Sequence, residues 1–234
     1  MCKTWTGIIK FLTEGDGKMA NYDTVIFDMD GTTLNTLEDL ADSVNYALGK
    51  YGYPERPVED IRRFVGNGVT RLMELSVPGG LDNPQFENCF RDFKNYYELN
   101  IQNKTAPYKG IPGLLKALHE KGYKLAIVSN KLDGAVKQLT EKNFGEYIRI
   151  AVGETVNVRR KPAPDSVYRA LEELGSLREK AVYVGDSEVD VQTAKNAGLI
   201  CVGVTWGFRD RAVLEAEGAD FIIDRPEELL GVLG

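Results

Sequence analysis

The sequence predicts an α/β protein with a Rossmann-like parallel sheet core flanked by helices and an inserted all-helical cap domain. Two observations carry this prediction. Short apolar runs alternate with segments whose apolar residues recur at helical spacing, which is typical of a parallel sheet covered on both faces. The stretch between the first and second runs has helical spacing but no convincing strand, which indicates an all-helical insert.

The first apolar run, residues 23–27, is rich in β-branched and aromatic side chains and leads directly to Asp28. This pattern predicts a buried central strand that feeds a loop. Later runs have the same character, and helical patterns separate most of them. The predicted strands are 23–27, 124–128, 148–152, 181–184 and 200–204, and the predicted helices are 132–144, 166–174 and 189–197.

The helical insert should lie over the carboxyl edge of the sheet, where open α/β folds bind their ligands, because it follows the first strand. Gly, Pro and small residues gather at 31–35 and 105–113 and mark plausible domain boundaries. We expect a mobile N-terminal extension at 1–20, a core of 21–34 and 106–234, and a cap of 35–105. The apolar positions of the insert include Leu37, Leu40, Val44, Leu48, Ile61, Phe64, Val65, Leu72, Leu75, Phe90, Phe93 and Tyr97.

Composition excludes several classes of function. Hydrophobic residues make up 43% of the 234 residues, which favours a packed globular chain, and a formal net charge of -6 argues against nucleic-acid binding. Cys2, Cys89 and Cys201 share no CxxC or CxxH spacing, so neither a disulfide framework nor a zinc site is expected. No run approaches the ~20 apolar residues of a membrane span, and no signal-peptide pattern is present. We expect a cytoplasmic protein that does not bind membranes.

Chemistry-bearing residues follow the first predicted strand as Asp28-Met29-Asp30-Gly31-Thr32. Two carboxylates this close would repel each other unless a cation or a shared proton relieved them. Mg²⁺ suits such a site because it prefers hard oxygen ligands and accepts phosphate as a further ligand. The alternative is a turn in which Asp and Gly merely end the strand.

Two further clusters offer groups that bind phosphate. Ser129 and Asn130 follow a predicted strand and supply a hydroxyl and an amide, although they could equally cap a helix that begins at Lys131. Lys161 precedes Pro162, which holds the backbone extended and would aim the ammonium, although a solvated surface lysine is the simpler interpretation.

The fourth cluster, Gly185-Asp186-Ser187-Glu188-Val189-Asp190, also follows a strand. Its carboxylates could complete a cation site, whereas a capping box would explain Ser187 and Asp190 but not Asp186. All four clusters stand at the carboxyl ends of strands in one parallel sheet, and such ends converge in space. Together they supply the groups needed to bind Mg²⁺ and a phosphoryl group around an aspartate nucleophile.

With these four motifs in order, the sequence resembles the haloacid-dehalogenase-like hydrolase superfamily between residues 23 and 206. The resemblance implies that Asp28 is the nucleophile and Asp30 the general acid and base. It implies that Ser129 and Lys161 bind the phosphoryl group with support from Asn130, Gly31 and Thr32. It further implies that Mg²⁺ is held by the Asp28 carboxylate, the Asp30 carbonyl and the Asp186 carboxylate, with Asp190 supporting them from outside. A carboxylate at position 30 is typical of phosphatases in this superfamily rather than of its dehalogenases.

The insert resembles the cap of the phosphoglycolate phosphatase-like branch, and residues 64–69 and 203–208 are similar to segments of that branch. The resemblance places Gly66, Asn67 and Gly68 against an anionic substrate, with Arg71 as a candidate carboxylate partner. A simple turn between helices would explain the same glycines. Thr33 and Asn35 depart from the branch, whose members often carry an apolar residue and an acid there.

The predicted function is a Mg²⁺-dependent phosphatase that hydrolyses a small phosphorylated metabolite through an aspartyl-phosphate, with 2-phosphoglycolate as the leading substrate. Two alternatives stay open: a sugar-phosphate mutase of the β-phosphoglucomutase kind and a catalytically silent binding module. The protein is expected to be a monomer or a homodimer. His119, the one histidine, lies in a helical pattern without a titratable neighbour and is expected at the surface.

Overall fold

The computed structural model describes residues 22–234, so the expected extension at 1–20 lies outside the described part of the chain. The strands are β1 (Thr24–Phe27), β2 (Leu34–Asn35), β3 (Ala106–Pro107), β4 (Lys124–Leu132), β5 (Ile150–Glu154), β6 (Ala181–Gly185), β7 (Ile200–Val204) and β8 (Phe221–Ile223). The helices are α1 (Leu37–Lys50), α2 (Val58–Phe64), α3 (Gly68–Ser76), α4 (Phe86–Asn100), α5 (Ile111–Glu120), α6 (Asp133–Phe144), α7 (Asp165–Leu174), α8 (Glu188–Ala197), α9 (Arg211–Glu217) and α10 (Leu229–Leu233).

Six parallel strands form the main sheet in the order β5-β4-β1-β6-β7-β8, with the apolar β1 near its centre. Side chains of β1 alternate between two cores, because successive residues of a strand point to opposite faces. Val25 and Phe27 pack with α5 and α6 on one face, while Ile26 packs with α7 and α8 on the other. Both faces are therefore covered, as the alternating sequence pattern predicts.

The four helices α1 to α4 lie between β2 and β3, which pair antiparallel. α1 packs against α4, where the rings of Tyr46 and Tyr96 stack with centroids 3.8 Å apart. The buried carboxylate of Asp39 in α1 accepts hydrogen bonds from the backbone N–H groups of Lys104 at 3.0 Å and Thr105 at 2.8 Å. These bonds tie the start of the helical insert to its exit.

The structure confirms the predicted fold class and corrects several bounds. β4 runs on to Leu132, so Ser129 and Asn130 belong to a strand and α6 begins only at Asp133. The helix-cap interpretation of Ser129 and Asn130 is therefore wrong. β5 begins at Ile150, because the backbone N–H of Ile148 still bonds the carbonyl of Phe144.

Some elements were not predicted, and some expectations about the surface are met. The pair β2 and β3, the edge strand β8 and the helices α9 and α10 had no prediction. His119 is exposed, as expected. Within residues 22–234, no helix has the length and apolar character that crossing a membrane requires.

Candidate active site

The predicted side chains lie together at the carboxyl edge of the sheet because the neighbouring strands β4, β1 and β6 are in register there. Phe27, the last residue of β1, pairs in β4 and in β6 with positions that lie two residues before Ser129 and Asp186, respectively. Asp28 follows Phe27 directly. All three polar side chains therefore emerge at one edge, and each is almost fully buried.

Lys161 reaches this edge from the loop after β5 and lies among the acids. Its Nζ donates to Asp28 Oδ1 at 2.7 Å, to Asp190 Oδ1 at 2.8 Å and to the Tyr183 hydroxyl at 3.1 Å. Burial would lower the pKa of Lys161, which is 3% exposed, but the carboxylates of Asp190 and Asp28 outweigh this effect and raise it. The residue is a buried cation, so the interpretation of Lys161 as a solvated surface lysine is wrong.

Asp190, in the first turn of α8, is saturated with hydrogen bonds. Besides Lys161, its Oδ1 accepts from the Tyr183 hydroxyl at 2.9 Å. Its Oδ2 accepts from the backbone N–H groups of Asp186 and Ser187 at 3.2 and 3.1 Å and from the Ser187 hydroxyl at 2.6 Å. The capping box is present, and the same carboxylate also holds Lys161. Burial alone would raise the pKa of Asp190, but Lys161 and these bonds lower it.

Asp186 lies against the turn that follows β1. Its Oδ2 accepts from the backbone N–H of Phe208 at 2.7 Å and its Oδ1 from the Thr32 hydroxyl at 3.1 Å. Gly31 has a φ of 88°, and a Cβ there would lie 2.4 Å from Asp186 Oδ2. Burial and, next, the charge of Asp190 raise the pKa of Asp186 to about 7.

Three buried carboxylates form a group that could hold a metal cation. Asp28, Asp186 and Asp190 offer oxygens that all lie within 4.8 Å of one another. Burial and, next, the charge of Asp190 also raise the pKa of Asp28 well above its ordinary value, although Lys161 opposes this. One ammonium thus faces three acids. Hard carboxylate oxygens with uncompensated charge are the donor set that suits a divalent cation.

Asp30 faces the same cavity but has partners of its own. Its Oδ1 accepts from the Thr36 hydroxyl at 2.6 Å and lies 3.1 Å from the Nζ of Lys131, a buried residue of β4. Lys131 also donates to the hydroxyl of Tyr97 in α4, and its ammonium lies 4.7 Å from the centre of that ring. Burial would lower the pKa of Lys131, but the charge of Asp30 and the contact with the Tyr97 hydroxyl raise it. Asp30 therefore has a buried ammonium as its partner.

Ser129 and Asn130 take different positions. The Ser129 hydroxyl lines the cavity and accepts from the Lys131 N–H at 3.3 Å. The amide of Asn130 brackets Lys161, since it accepts from the Lys161 N–H at 2.7 Å and donates to the Lys161 carbonyl at 3.0 Å. It also donates to the carbonyl of Gly66 at 3.0 Å. Asn130 therefore fixes the backbone of the catalytic lysine candidate and contacts the helical insert.

The cavity lies between the sheet edge and the helical insert. Gly66 and Gly68 line it, together with an apolar wall from α1 and α3. Asn67 contributes its backbone carbonyl to Arg160 at 3.0 Å, and Arg71 pairs with Glu74 at 2.7 Å with its side chain 47% exposed. The structure thus brings the two predicted glycines to the cavity, whereas Asn67 and Arg71 are not among its lining residues. The lining residues are Asp28, Asp30, Leu40, Val65, Gly66, Gly68, Val69, Leu72, Ser129, Asn130, Lys131, Lys161, Asp186, Ser187, Phe208 and Arg209.

The model of the haloacid dehalogenase-like hydrolase family matches residues 25–204, more than half of the chain. The chain belongs to this family. The match spans the motifs that supply Asp28, Ser129, Lys161 and Asp186 to the cavity.

Relatives over most of the chain carry related names. A phosphoglycolate phosphatase of Aquifex aeolicus is 33% identical over 210 residues, which cover 89% of this chain and 95% of that protein. One from Pseudomonas putida is 31% identical over 212 residues, which cover 88% and 78% of the two chains. The crystal structure of a protein from Lactobacillus delbrueckii subsp. bulgaricus, provisionally described as a phosphoglycolate phosphatase, has a TM-score of 0.86 and 38% identity and covers 91% and 98%. This haloacid dehalogenase-like hydrolase is therefore a phosphatase that acts on phosphate monoesters.

In this hydrolase, two arginines that were not predicted join the helical insert to the core across the cavity. Arg62 of α2 donates to the carbonyls of Gly207 at 2.7 Å and Phe208 at 3.1 Å. In return, Arg209 donates to the carbonyls of Arg62 at 2.9 Å and Val65 at 2.8 Å. Arg209 also lines the cavity, and this reciprocal pair holds the two parts together.

Thr33 and Asn35, the departures from related sequences, have local partners. The Thr33 hydroxyl donates to the Asp28 carbonyl at 3.2 Å, and Asn35 Oδ1 accepts from the backbone N–H of Leu37 at 3.3 Å. Lys131 was also missed. It follows Ser129 and Asn130 in the irregular part of β4, and all three residues line the cavity.

Proposed function

We propose that the protein is a Mg²⁺-dependent phosphatase that hydrolyses 2-phosphoglycolate through an aspartyl-phosphate at Asp28. The observation that carries this proposal is the pair formed by Asp28 and Lys161, whose charged atoms are 2.7 Å apart beside a second buried acid, Asp186. A cytoplasmic location is part of the proposal. So is the division of the chain into a core of 21–34 and 106–234 and a cap of 35–105, joined by the arginine pair.

The residues present fit a bound Mg²⁺. We assign its ligands as the carboxylates of Asp28 and Asp186 and the backbone carbonyl of Asp30. Asp190 supports them from outside, because both of its oxygens already accept hydrogen bonds. When bound, the metal supplies positive charge that offsets the repulsion between the nucleophile and the phosphate. Burial and, next, the charge of Asp190 raise the pKa values of Asp28 and Asp186, so a bound cation would offset the cost of ionising both carboxyls.

In the first half-reaction, an Asp28 carboxylate oxygen attacks phosphorus in line with the leaving oxygen. The Ser129 hydroxyl binds one phosphoryl oxygen, and Lys161 binds another with the N–H that it donates to Asp28 in the free protein, while Asp190 and Tyr183 hold its ammonium in place. Asp30 donates its proton to the oxygen of the departing alcohol. The P–O bond of the ester breaks as the Asp28–phosphorus bond forms.

In the second half-reaction, Asp30 accepts a proton from water, and the resulting hydroxide oxygen attacks phosphorus. The bond to Asp28 breaks, which releases inorganic phosphate and restores both acids. Thr36 orients Asp30 for both transfers by donating to its Oδ1 at 2.6 Å. The apolar wall of the cap limits the entry of further water.

The size of the cavity favours a small substrate. Its free volume is about 40 Å³, and an enclosed water needs roughly 10–15 Å³ by the same measure. A small phosphate ester therefore suits the enclosed part of the cavity better than a large one. The relatives from A. aeolicus and P. putida, both named phosphoglycolate phosphatase, support the choice of 2-phosphoglycolate.

The test is release of inorganic phosphate from 2-phosphoglycolate and from a panel of phosphorylated metabolites, with Mg²⁺ and with a chelator. We expect hydrolysis that requires Mg²⁺, a preference for 2-phosphoglycolate, and no turnover by Asp28→Asn. Asp42→Asn, a change to an exposed carboxylate, serves as the matched control and should keep full activity. A wild type without phosphatase activity contradicts the proposal, and so does substrate consumption without free phosphate, which is the signature of a mutase.

A further inference from the structure

Lys131 is a buried cation at the boundary between cap and core, on the Asp30 side of the cavity. It is 3% exposed, it lines the cavity, and its Nζ lies 3.1 Å from Asp30 Oδ1. Tyr97, from the cap helix α4, accepts a second hydrogen bond from it and places an aromatic ring beneath its charge. The ammonium is thus held in one place by groups from both parts of the chain.

The cations that line the cavity within residues 22–234 differ in how many donors remain free. Lys161 spends its three N–H groups on Asp28, Asp190 and Tyr183. Arg209 donates from all three nitrogens of its guanidinium, to backbone carbonyls of the cap and to Glu188, so its orientation is fixed by those partners. Lys131 has three donors and uses two, on Asp30 and Tyr97. It therefore keeps one N–H for a ligand.

The position of Lys131 also matches the place where the leaving group must lie. Asp30 can protonate the leaving oxygen only from hydrogen-bond distance, roughly 2.6–3.2 Å. Lys131 is the ammonium beside Asp30, so it lies close to atoms attached to that oxygen. In 2-phosphoglycolate, the carboxylate is separated from the bridging oxygen by a single carbon. A substrate carboxylate bound here would contact a cation that is already held in place and shielded from water.

We propose that Lys131 is the specificity-determining residue that binds the carboxylate of the substrate. This proposal rests on the proposed function and replaces Arg71, whose exposed guanidinium pairs with Glu74, in that role. Lys131 performs two tasks at once, because the same ammonium orients Asp30. Tyr97 makes the site depend on the cap, since α4 must lie against β4 for its hydroxyl to reach Lys131.

The experiment compares kcat and KM for 2-phosphoglycolate and for ethyl phosphate, in which a methyl group replaces the carboxylate. The variants are Lys131→Met, which keeps the length of the side chain but not its charge, and Lys131→Arg, which restores a cation. We expect Lys131→Met to raise KM for 2-phosphoglycolate about ten- to a hundredfold, the range for loss of a charge-assisted hydrogen bond, with little change in KM for ethyl phosphate. Its kcat should fall by a similar factor on both substrates, because Asp30 loses its partner. Lys131→Arg should recover part of the preference.

Two further variants test whether misfolding explains the effects of Lys131→Met. Tyr97→Phe keeps the ring and the cation but removes one partner of Lys131, and it should shift the preference in the same direction by a smaller factor. Lys137→Met, on the exposed face of α6, should change neither substrate.

A wild type that does not prefer 2-phosphoglycolate overturns the proposed function and the role of Lys131 with it. A preference that is present in the wild type and unchanged in both Lys131→Met and Tyr97→Phe overturns the role of Lys131 alone. Loss of kcat/KM by equal factors on both substrates has the same meaning, because Lys131 would then act only through Asp30.

Discussion

Replacing Asp186 by asparagine should stabilise the metal-free protein at neutral and alkaline pH while it removes a proposed metal ligand. The carboxyl of Asp186 is 1% exposed, and burial together with the charge of Asp190 raises its pKa to about 7 from an ordinary 3.8. Asparagine is close in shape and neutral at every pH. The variant therefore lacks the cost of ionising a buried acid.

The direction in which the free energy of unfolding changes with pH follows from proton binding. Between about pH 4 and pH 7, folded Asp186 holds a proton that the unfolded chain releases, so the free energy of unfolding falls as pH rises through this window. One pH unit corresponds to about 1.4 kcal/mol, and the interval of about three units gives about 4 kcal/mol. Asp190, whose pKa is lowered, loses its contribution only as pH falls below 3.8 and does not affect this window.

The assay is urea denaturation of wild type and Asp186→Asn in EDTA at about pH 4, 6 and 8. We expect equal stability near pH 4 and an advantage for the variant of about 4 kcal/mol near pH 8, or roughly ten degrees in Tm for a chain of this length. Asp42→Asn, which changes an exposed carboxylate, should follow the wild type. Mg²⁺ should stabilise the wild type more at pH 8 than at pH 4 and the variant little at either. A difference between wild type and Asp186→Asn that does not change with pH refutes the reasoning.

Three further substitutions test other contacts. Gly31→Ala should lower kcat/KM at least about tenfold in a phosphate-release assay, because its Cβ would displace Asp186. Gly52→Ala also has positive φ but meets open space, so it should lose about 1–2 kcal/mol of stability and keep full activity, whereas Gly31→Ala should lose more stability. Arg209→Ala should raise KM several-fold by freeing the cap, whereas Arg211→Ala, which breaks a surface pair with Asp224, should not. Equal KM values in the two variants would show that the arginine pair does not hold the cap in place for substrate binding. Asp39→Asn should lower the free energy of unfolding, measured by urea denaturation, by about 1–3 kcal/mol, because the amide cannot accept all the hydrogen bonds that the carboxylate accepts. A loss no greater than that of Asp42→Asn contradicts this expectation.

The fold class was predictable because each inner strand of a parallel sheet is a short apolar run, and this pattern is local. The edge strand β8 is short and only partly buried, so its pattern is weak. The two-residue strands β2 and β3 exist only because their segments meet where the helical insert joins the core. The extension of β4 through Ser129 to Leu132 was missed for a related reason: the polar residues that end the apolar run are buried by the insert rather than by the sheet.

The residues of the candidate site also divide into those that the sequence predicts and those that it does not. Asp28, Ser129 and Asp186 were predictable because strand ends of one sheet converge, and Lys161 because proline fixes the backbone beside it. The arginine pair and the bond between Lys131 and Tyr97 join residues far apart in the chain, across the cap and core. Nothing in a single segment marks such a contact, because its geometry depends on how two packed units meet. Arg71 shows the converse, since proximity in sequence to the glycine loop does not bring its side chain to the cavity.

The acids of the cavity differ in how fully their charge is compensated, and this difference separates their roles. Asp190 has a lysine, a tyrosine and three further donors, which explains its lowered pKa and suits a positioning residue that stays ionised. Asp186 has a hydroxyl, one N–H and the more distant charge of Arg209, which do not outweigh burial and the charge of Asp190, so its pKa is raised. A neutral residue at position 186 would relieve the repulsion and stabilise the fold, but it would also remove a carboxylate of the proposed metal site. The apolar core must therefore offset a local instability at the site proposed to hold the metal.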